Sequence, residues 1–417
     1  MIVGIEDKNR ILSEEEITNV CKEVFSKWRV SGKRLLFIIP DNTRSAPIDL
    51  MFRICYNLLV NQVKALDFLI ALGTHPPLSI EEIYKRVNIT KNEKETIYSK
   101  AQFFNHDWKS AKQLVKIGHI NNTVVNEISG GILDTGVDIT INKLVLEYDL
   151  LIIIGPTYPH EVAGFSGGNK YLFPGISGQE IINLFHWLGA LITNININGV
   201  ADTPVRQIID RAAAMVPTRT VCMSLVTAGE GLAGLYAGNP LEAWTNAVRA
   251  SSKLHIIYKD HQYKKVLSCV PEMYTDLWTG AKGMYKLESI VATGGELILY
   301  APHIKEVSVT HGKLIEQIGY HVKQYFTQQA NKFEHIPGGI RAHSTHLKGV
   351  GAYINGIESP RIKVVLATGI SEETCEKINL DYINPASIDV ESWNNRETEG
   401  ILIVKNAGEM LYRLSDG

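Results

Sequence analysis

Residues 35–39, 66–70 and 150–154 are short apolar runs, and each stops abruptly at a polar or glycine-rich turn. Runs of this length bounded by turn residues predict buried strands. Between them lie helix-like stretches such as 13–28, where Ser13 and Glu16 have the spacing of a capping box. Strand alternating with helix predicts a parallel, doubly wound sheet. The second half repeats the style, with strands predicted at 296–300, 362–367 and 401–404 and helices at 308–327 and 372–378. A chain of 417 residues exceeds one ordinary core. We therefore expect an α/β protein of two domains with Rossmann-like, mainly parallel sheets and an active site in the cleft between them. The polar segment 259–265 sets the boundary, giving domains 1–265 and 266–417.

A formal charge of −2 argues against a general nucleic-acid binder. No apolar run approaches the ~20 residues that span a bilayer. The five cysteines are scattered and never form CxxC, which argues against a disulfide framework and a cysteine zinc site. The first residues carry no basic-then-apolar signal pattern. Together these features predict a cytoplasmic protein with free thiols that binds neither nucleic acid nor membrane.

Open α/β sheets bind ligands beyond the carboxyl ends of their strands, and three predicted strand ends here carry unusual polar residues. Asp41-Asn42-Thr43-Arg44 follows the first; Arg44 offers a planar donor fork for an anion, although Asp41 could equally cap a helix. His75 follows the second, before two prolines that favour an extended backbone, which suits a base or a plain turn histidine. The third run leads into His160 and a segment containing Gly164, Gly167, Gly168 and Lys170. If the three strands are parallel neighbours, these side chains meet on one rim.

The glycine-rich segment is not a P-loop. Asn169 stands where the second glycine belongs and Tyr171 where a small hydroxyl should hold Mg²⁺. Lys170 therefore needs another role, and lysine can form covalent links. His186 sits in an apolar stretch as either a core residue or a metal ligand. Lys282 near Thr279 adds an ammonium and a hydroxyl; His106 reads as a supporting residue, and His343 and His346 as structural or rim residues.

In combination, Asp41-Asn42-Thr43-Arg44, Gly73-Thr74-His75, the His160–Lys170 segment and His186 resemble the nickel-pincer-dependent lactate racemase family over residues 35–300. The resemblance implies a nickel-pincer nucleotide, a pyridinium mononucleotide carrying sulfur groups and nickel. It would be tethered at Lys170 by a thioamide and loaded by dedicated biosynthetic enzymes. It implies His186 as the protein's nickel ligand and His75 and His160 as the acid and base. Asp41, Asn42, Thr43, Arg44, Thr279 and Lys282 would hold cofactor and substrate carboxylate. The implied reaction interconverts the enantiomers of a 2-hydroxy acid by hydride transfer to and from the cofactor. Where lactate-processing members carry Gln and Tyr, this chain has Thr279 and Trp278, and His303 and His311 offer further hydrogen bonds. A substrate larger than lactate, such as a sugar acid, fits these departures. Two other readings stay open: a zinc-dependent hydrolase using His75, His160 and His186, and a nucleotide or sugar-acid binding module without turnover.

Overall fold

The computed structural model describes residues 2–415. The chain forms two compact units, one of residues 1–158, 166–182 and 206–254 and the other of 159–165, 183–205 and 255–417. The units are interleaved, so one boundary after residue 265 does not describe them. That point falls inside the strand Tyr263–Cys269. Its lysines, Lys264 and Lys265, are exposed while Val266 and Leu267 are fully buried. The lysines made a strand entrance read as a linker.

The first unit is built on a seven-stranded sheet. Its strand order is Val3–Glu6, Gly231–Gly238, Thr220–Ala228, Leu150–Pro156, Arg34–Pro40, Ala65–Ala71, Ala101–Asn105. The last five are parallel, and the first two join as antiparallel neighbours. The three apolar runs are thus central parallel strands. Alternate residues of Arg34–Pro40 are buried on both faces, as a sheet covered on both sides requires. Phe37, Phe68 and Phe103 stack across neighbouring strands at 5.0 and 5.3 Å. Helix Glu14–Trp28 begins at Ser13 with the predicted capping box, and its apolar face (Ile17, Val24, Trp28) packs into the same core.

The second unit holds a five-stranded sheet that is parallel throughout. Its order is Asp381–Tyr382, Lys363–Thr368, Val291–Ala301, Tyr263–Cys269, Ile401–Val404. Helix Glu372–Lys377 forms as predicted. The helix predicted over 308–327 is instead two short helices, Gly312–Ile318 and Lys323–Thr327. The first ends at Gly319, whose φ of +71° takes the chain out of the helix. The five cysteines form no disulfide. No helix among the described residues is long and apolar enough to cross a membrane.

Candidate active site

In the first sheet the connection order reverses between Leu150–Pro156 and Arg34–Pro40, which creates a topological switch point. Asp41 to Arg44 leaves the end of one of these strands, and His75 follows the adjacent Ala65–Ala71. Their side chains meet. His75 Nδ1–H donates to Asp41 Oδ2 at 2.5 Å. The other carboxylate oxygen accepts from Thr43 N–H at 3.1 Å and Thr43 Oγ1 at 2.8 Å. Burial by itself would raise the Asp41 pKa. The His75 charge, hydrogen bonds from His75 and Thr43, and Arg44 together outweigh it and hold Asp41 well below the usual carboxylate range. A permanently ionised carboxylate thus fixes the imidazole with Nδ1 as donor, and in neutral His75 the lone pair sits on Nε2.

The glycine-rich segment reaches the same region of this unit. Gly167 and Gly168 have φ of +84° and +56°, which favours glycine and lets the chain turn sharply into Lys170. Gly73 N–H donates to the Gly175 carbonyl at 2.9 Å, tying the His75 turn to the end of the segment. Tyr171 lies over the sheet because Gly155 has no side chain; a Cβ there would fall 2.2 Å from the ring. Burial raises the Tyr171 pKa, while Arg44 and Arg86 pull it down. Arg86 Nη2 donates to the Arg44 carbonyl at 3.1 Å, and its Nε is a buried donor with no hydrogen-bond partner among the described residues. Two guanidiniums in the field of Tyr171, the residue after the half-buried Lys170, make a setting for an anionic group. Arg86 was not singled out in the sequence; it lies on a separate helix, Ile80–Arg86, far along the chain.

His106 is a supporting residue, as expected. Its Nε2–H donates to the Ser177 carbonyl at 3.0 Å, and its Nδ1 accepts from Asn142 at 3.2 Å. Both ring nitrogens are engaged, so the ring braces the chain just past the glycine-rich segment.

The second unit holds the other residues. His160 is buried on a hairpin formed by Pro159–His160 and Gly164–Phe165. Gly199 N–H donates to the Gly164 carbonyl at 2.9 Å, and Lys286 Nζ donates to the Pro159 carbonyl. His160 Nδ1 accepts the Val162 N–H at 3.0 Å. The Glu161 carboxylate is 3.6 Å from the same nitrogen, too far for a hydrogen bond, so the backbone contact sets the tautomer. In neutral His160 the proton therefore sits on Nε2. His186 is half-buried on helix Gln179–Ile192.

In this sheet the order reverses between Tyr263–Cys269 and Ile401–Val404, and the segment bearing Thr279 and Lys282 follows the first of these strands. Asp276 caps the short turn Leu277–Gly280 and accepts the Thr279 hydroxyl proton at 2.7 Å, leaving Thr279 only its lone pairs for a ligand. Lys282 is buried with its Nζ 4.6 Å from the Tyr274 ring centre. Trp278 is flanked by His343 and His311, with ring centres 4.0 and 4.6 Å away. Among the described residues no three His, Cys, Asp or Glu side chains are grouped to hold a metal ion.

Each unit thus has an open α/β sheet with polar side chains just past strands at or beside its switch point, where proteins of this class bind ligands. The model of the lactate racemase N-terminal domain matches residues 6–197. The lactate racemase of Thermoanaerobacterium thermosaccharolyticum is 24% identical over 277 residues, 64% of this chain and 60% of that protein. The lactate racemase of Lactiplantibacillus plantarum is 32% identical over 158 residues, 37% of this chain and 33% of that protein. The chain thus matches less than two thirds of the length of either relative. A crystal structure of a Thermotoga maritima protein superposes with a TM-score of 0.90 and 31% identity, covering 99% of this chain and 100% of that one. The lactate racemase apoprotein of T. thermosaccharolyticum shares the fold, with a TM-score of 0.70 and 19% identity over 97% and 93% of the two chains. Over residues 6–197 the chain is thus similar to the lactate racemase N-terminal domain, and over 277 residues to a lactate racemase.

Proposed function

We propose that this protein is a 2-hydroxy acid racemase or epimerase that works with a nickel-pincer nucleotide tethered at Lys170. The observation that carries the reading is the Asp41–His75 pair, built in the same compact unit as the Lys170 segment. The residues fit the group. Lys170 offers an amine next in the chain to Tyr171, which feels Arg44 and Arg86, and the Arg86 Nε, unpartnered among the described residues, suits an anionic mononucleotide. His186 is a single imidazole, the right donor set for a metal whose other ligands come from an organic group. When bound, the cofactor supplies a two-electron acceptor for the substrate carbon.

The chain's own residues then handle protons and position. The Nε2 lone pair of His75 takes the hydroxyl proton of one enantiomer, with Asp41 stabilising the imidazolium that forms. His160, in its imidazolium form, supplies a proton to the oxygen of the keto acid as the other enantiomer forms and is left as the neutral ring. In the reverse direction the two exchange roles. Arg44 and Lys282 hold the carboxylate while the rest of the molecule turns. Two imidazoles, one taking a proton while the other gives one, suit a reaction that must run both ways.

The test is intact-mass spectrometry and nickel analysis of protein co-expressed with the cofactor-making enzymes. We expect a covalent adduct that disappears in Lys170→Ala, and nickel that is lost in His186→Ala. Racemisation by protein of unmodified mass would overturn the proposal.

A further inference from the structure

Helix Gly338–Lys348 contributes nothing to the motifs above, yet it carries two buried histidines, His343 and His346. At i and i+3 they lie on one face. The helix is seated closely. A Cβ on Gly338 would lie 2.6 Å from the Asn183 carbonyl oxygen and 3.1 Å from Trp187 Cβ. Gly339 N–H donates to Asn183 Oδ1 at 3.1 Å, and the Arg341 guanidinium lies 4.4 Å from the Trp187 ring centre. Asn183 and Trp187 belong to the helix that bears His186. This approach brings His346 into the field of His186 and Glu161.

The hydrogen-bonding state of this patch follows from its geometry. His343 Nε2 is 3.0 Å from the Trp278 carbonyl, which can only accept, so Nε2 carries the proton. Burial pushes the His343 pKa down to about 3, so that ring is neutral. Nδ1 of His343 is then a bare acceptor. The Tyr285 ring centre lies 6.3 Å from that of His343 and 5.7 Å from that of His346, and Tyr320 lies 5.7 Å from His343. Among the described residues His343 Nδ1, His346 Nε2, Tyr285 Oη and Tyr320 Oη are all buried without a hydrogen-bond partner. Interiors tolerate few such atoms because each has given up hydration for nothing. Four around one patch call for a polar occupant.

We propose that this patch recognises hydroxyl groups of the substrate beyond the reacting carbon, making the substrate a polyhydroxylated 2-hydroxy acid of the aldonic type. The assignment rests on the racemase reading for its chemistry and adds the substrate class. A hydroxyl can donate to His343 Nδ1 and accept from a phenol, so it satisfies both kinds of orphan. An apolar substituent would leave them unpaired. A second carboxylate would meet a neutral His343 ring and the field of Glu161, which repels it.

The experiment uses cofactor-loaded protein and compares C2 epimerisation of a six-carbon aldonic acid with that of lactate. Tyr285→Phe should lower kcat/KM for the aldonic acid about tenfold or more, mainly through KM, and change that for lactate less than about threefold. His343→Phe should act in the same direction. Tyr285→Phe removes only an unpaired hydroxyl, so its ligand-free Tm should stay level or rise. A second readout is the aldonate-dependent rise in Tm, present in the parent protein and lost in Tyr285→Phe. Equal losses for both substrates, or aldonate stabilisation unchanged in Tyr285→Phe, would overturn the assignment. Tyr285-dependent aldonate binding without turnover of any 2-hydroxy acid would support the patch and sink the racemase reading instead.

Discussion

The carboxylate of Asp41 and the imidazole of His75 are joined at 2.5 Å although 34 residues separate them in the chain. Replacing Asp41 by Asn keeps the shape but no longer fixes the tautomer. Asp41→Asn should lower kcat by about a thousand-fold with little change in cofactor adduct. Steady-state kinetics beside intact mass separates these effects; near-parental kcat would remove His75 from the proposed acid–base role.

His160 takes its tautomer from a backbone N–H rather than a carboxylate. His160→Gln should therefore abolish racemisation in both directions. Loss of product formation of at least about a hundred-fold is expected. Activity within a few-fold of the parent protein would take His160 out of the mechanism.

Gly155 leaves room for Tyr171, and through it for the alignment of Arg44 and Arg86. Gly155→Ala should destabilise the protein by about 1–3 kcal/mol, as overpacking does. Chemical denaturation measures this directly, and an unchanged midpoint would show that the ring yields without cost.

His106 is buried, and desolvation lowers its pKa to about 4, partly offset by its hydrogen bond to Ser177 and by Asp107. The unfolded chain binds the proton near pH 6.5, so between 6.5 and about 4 the unfolded state carries more protons than the folded one. Stability from this group is complete above pH 6.5 and declines as pH falls, by about 3 kcal/mol at most over that window. Tm measured against pH should show a shallower acid slope in His106→Gln. Identical slopes would mean that His106 does not titrate as its burial implies.

Ser13 and Glu16 form the predicted reciprocal cap on helix Glu14–Trp28. Ser13→Ala should cost about 1 kcal/mol, readable as a lower urea midpoint. A loss within a few tenths would assign the helix end's stability to Ile17 and Trp28 packing instead.

The strands at 35–39, 66–70 and 150–154 were legible because burial on both faces demands unbroken apolar runs. All three are indeed parallel neighbours, and that placed Asp41 beside His75. The family resemblance put forward Lys170, His160, His186 and Lys282, whose roles remain part of the proposal. Arg86, Tyr285, His343 and His346 left no comparable mark. A buried arginine and a surface one look alike in a sequence, and His343-Ser-Thr-His346 has the same pattern on any helix face.

Local chemistry along the chain thus determined which segments become strands and which residues can carry acid–base work, since both depend on near neighbours. Only the tertiary structure decided how the units interleave, which nitrogen of each histidine holds the proton, and which polar atoms lose water without gaining a partner. Those properties arise from contacts between segments far apart in the chain, where closeness is created by folding and not by sequence order.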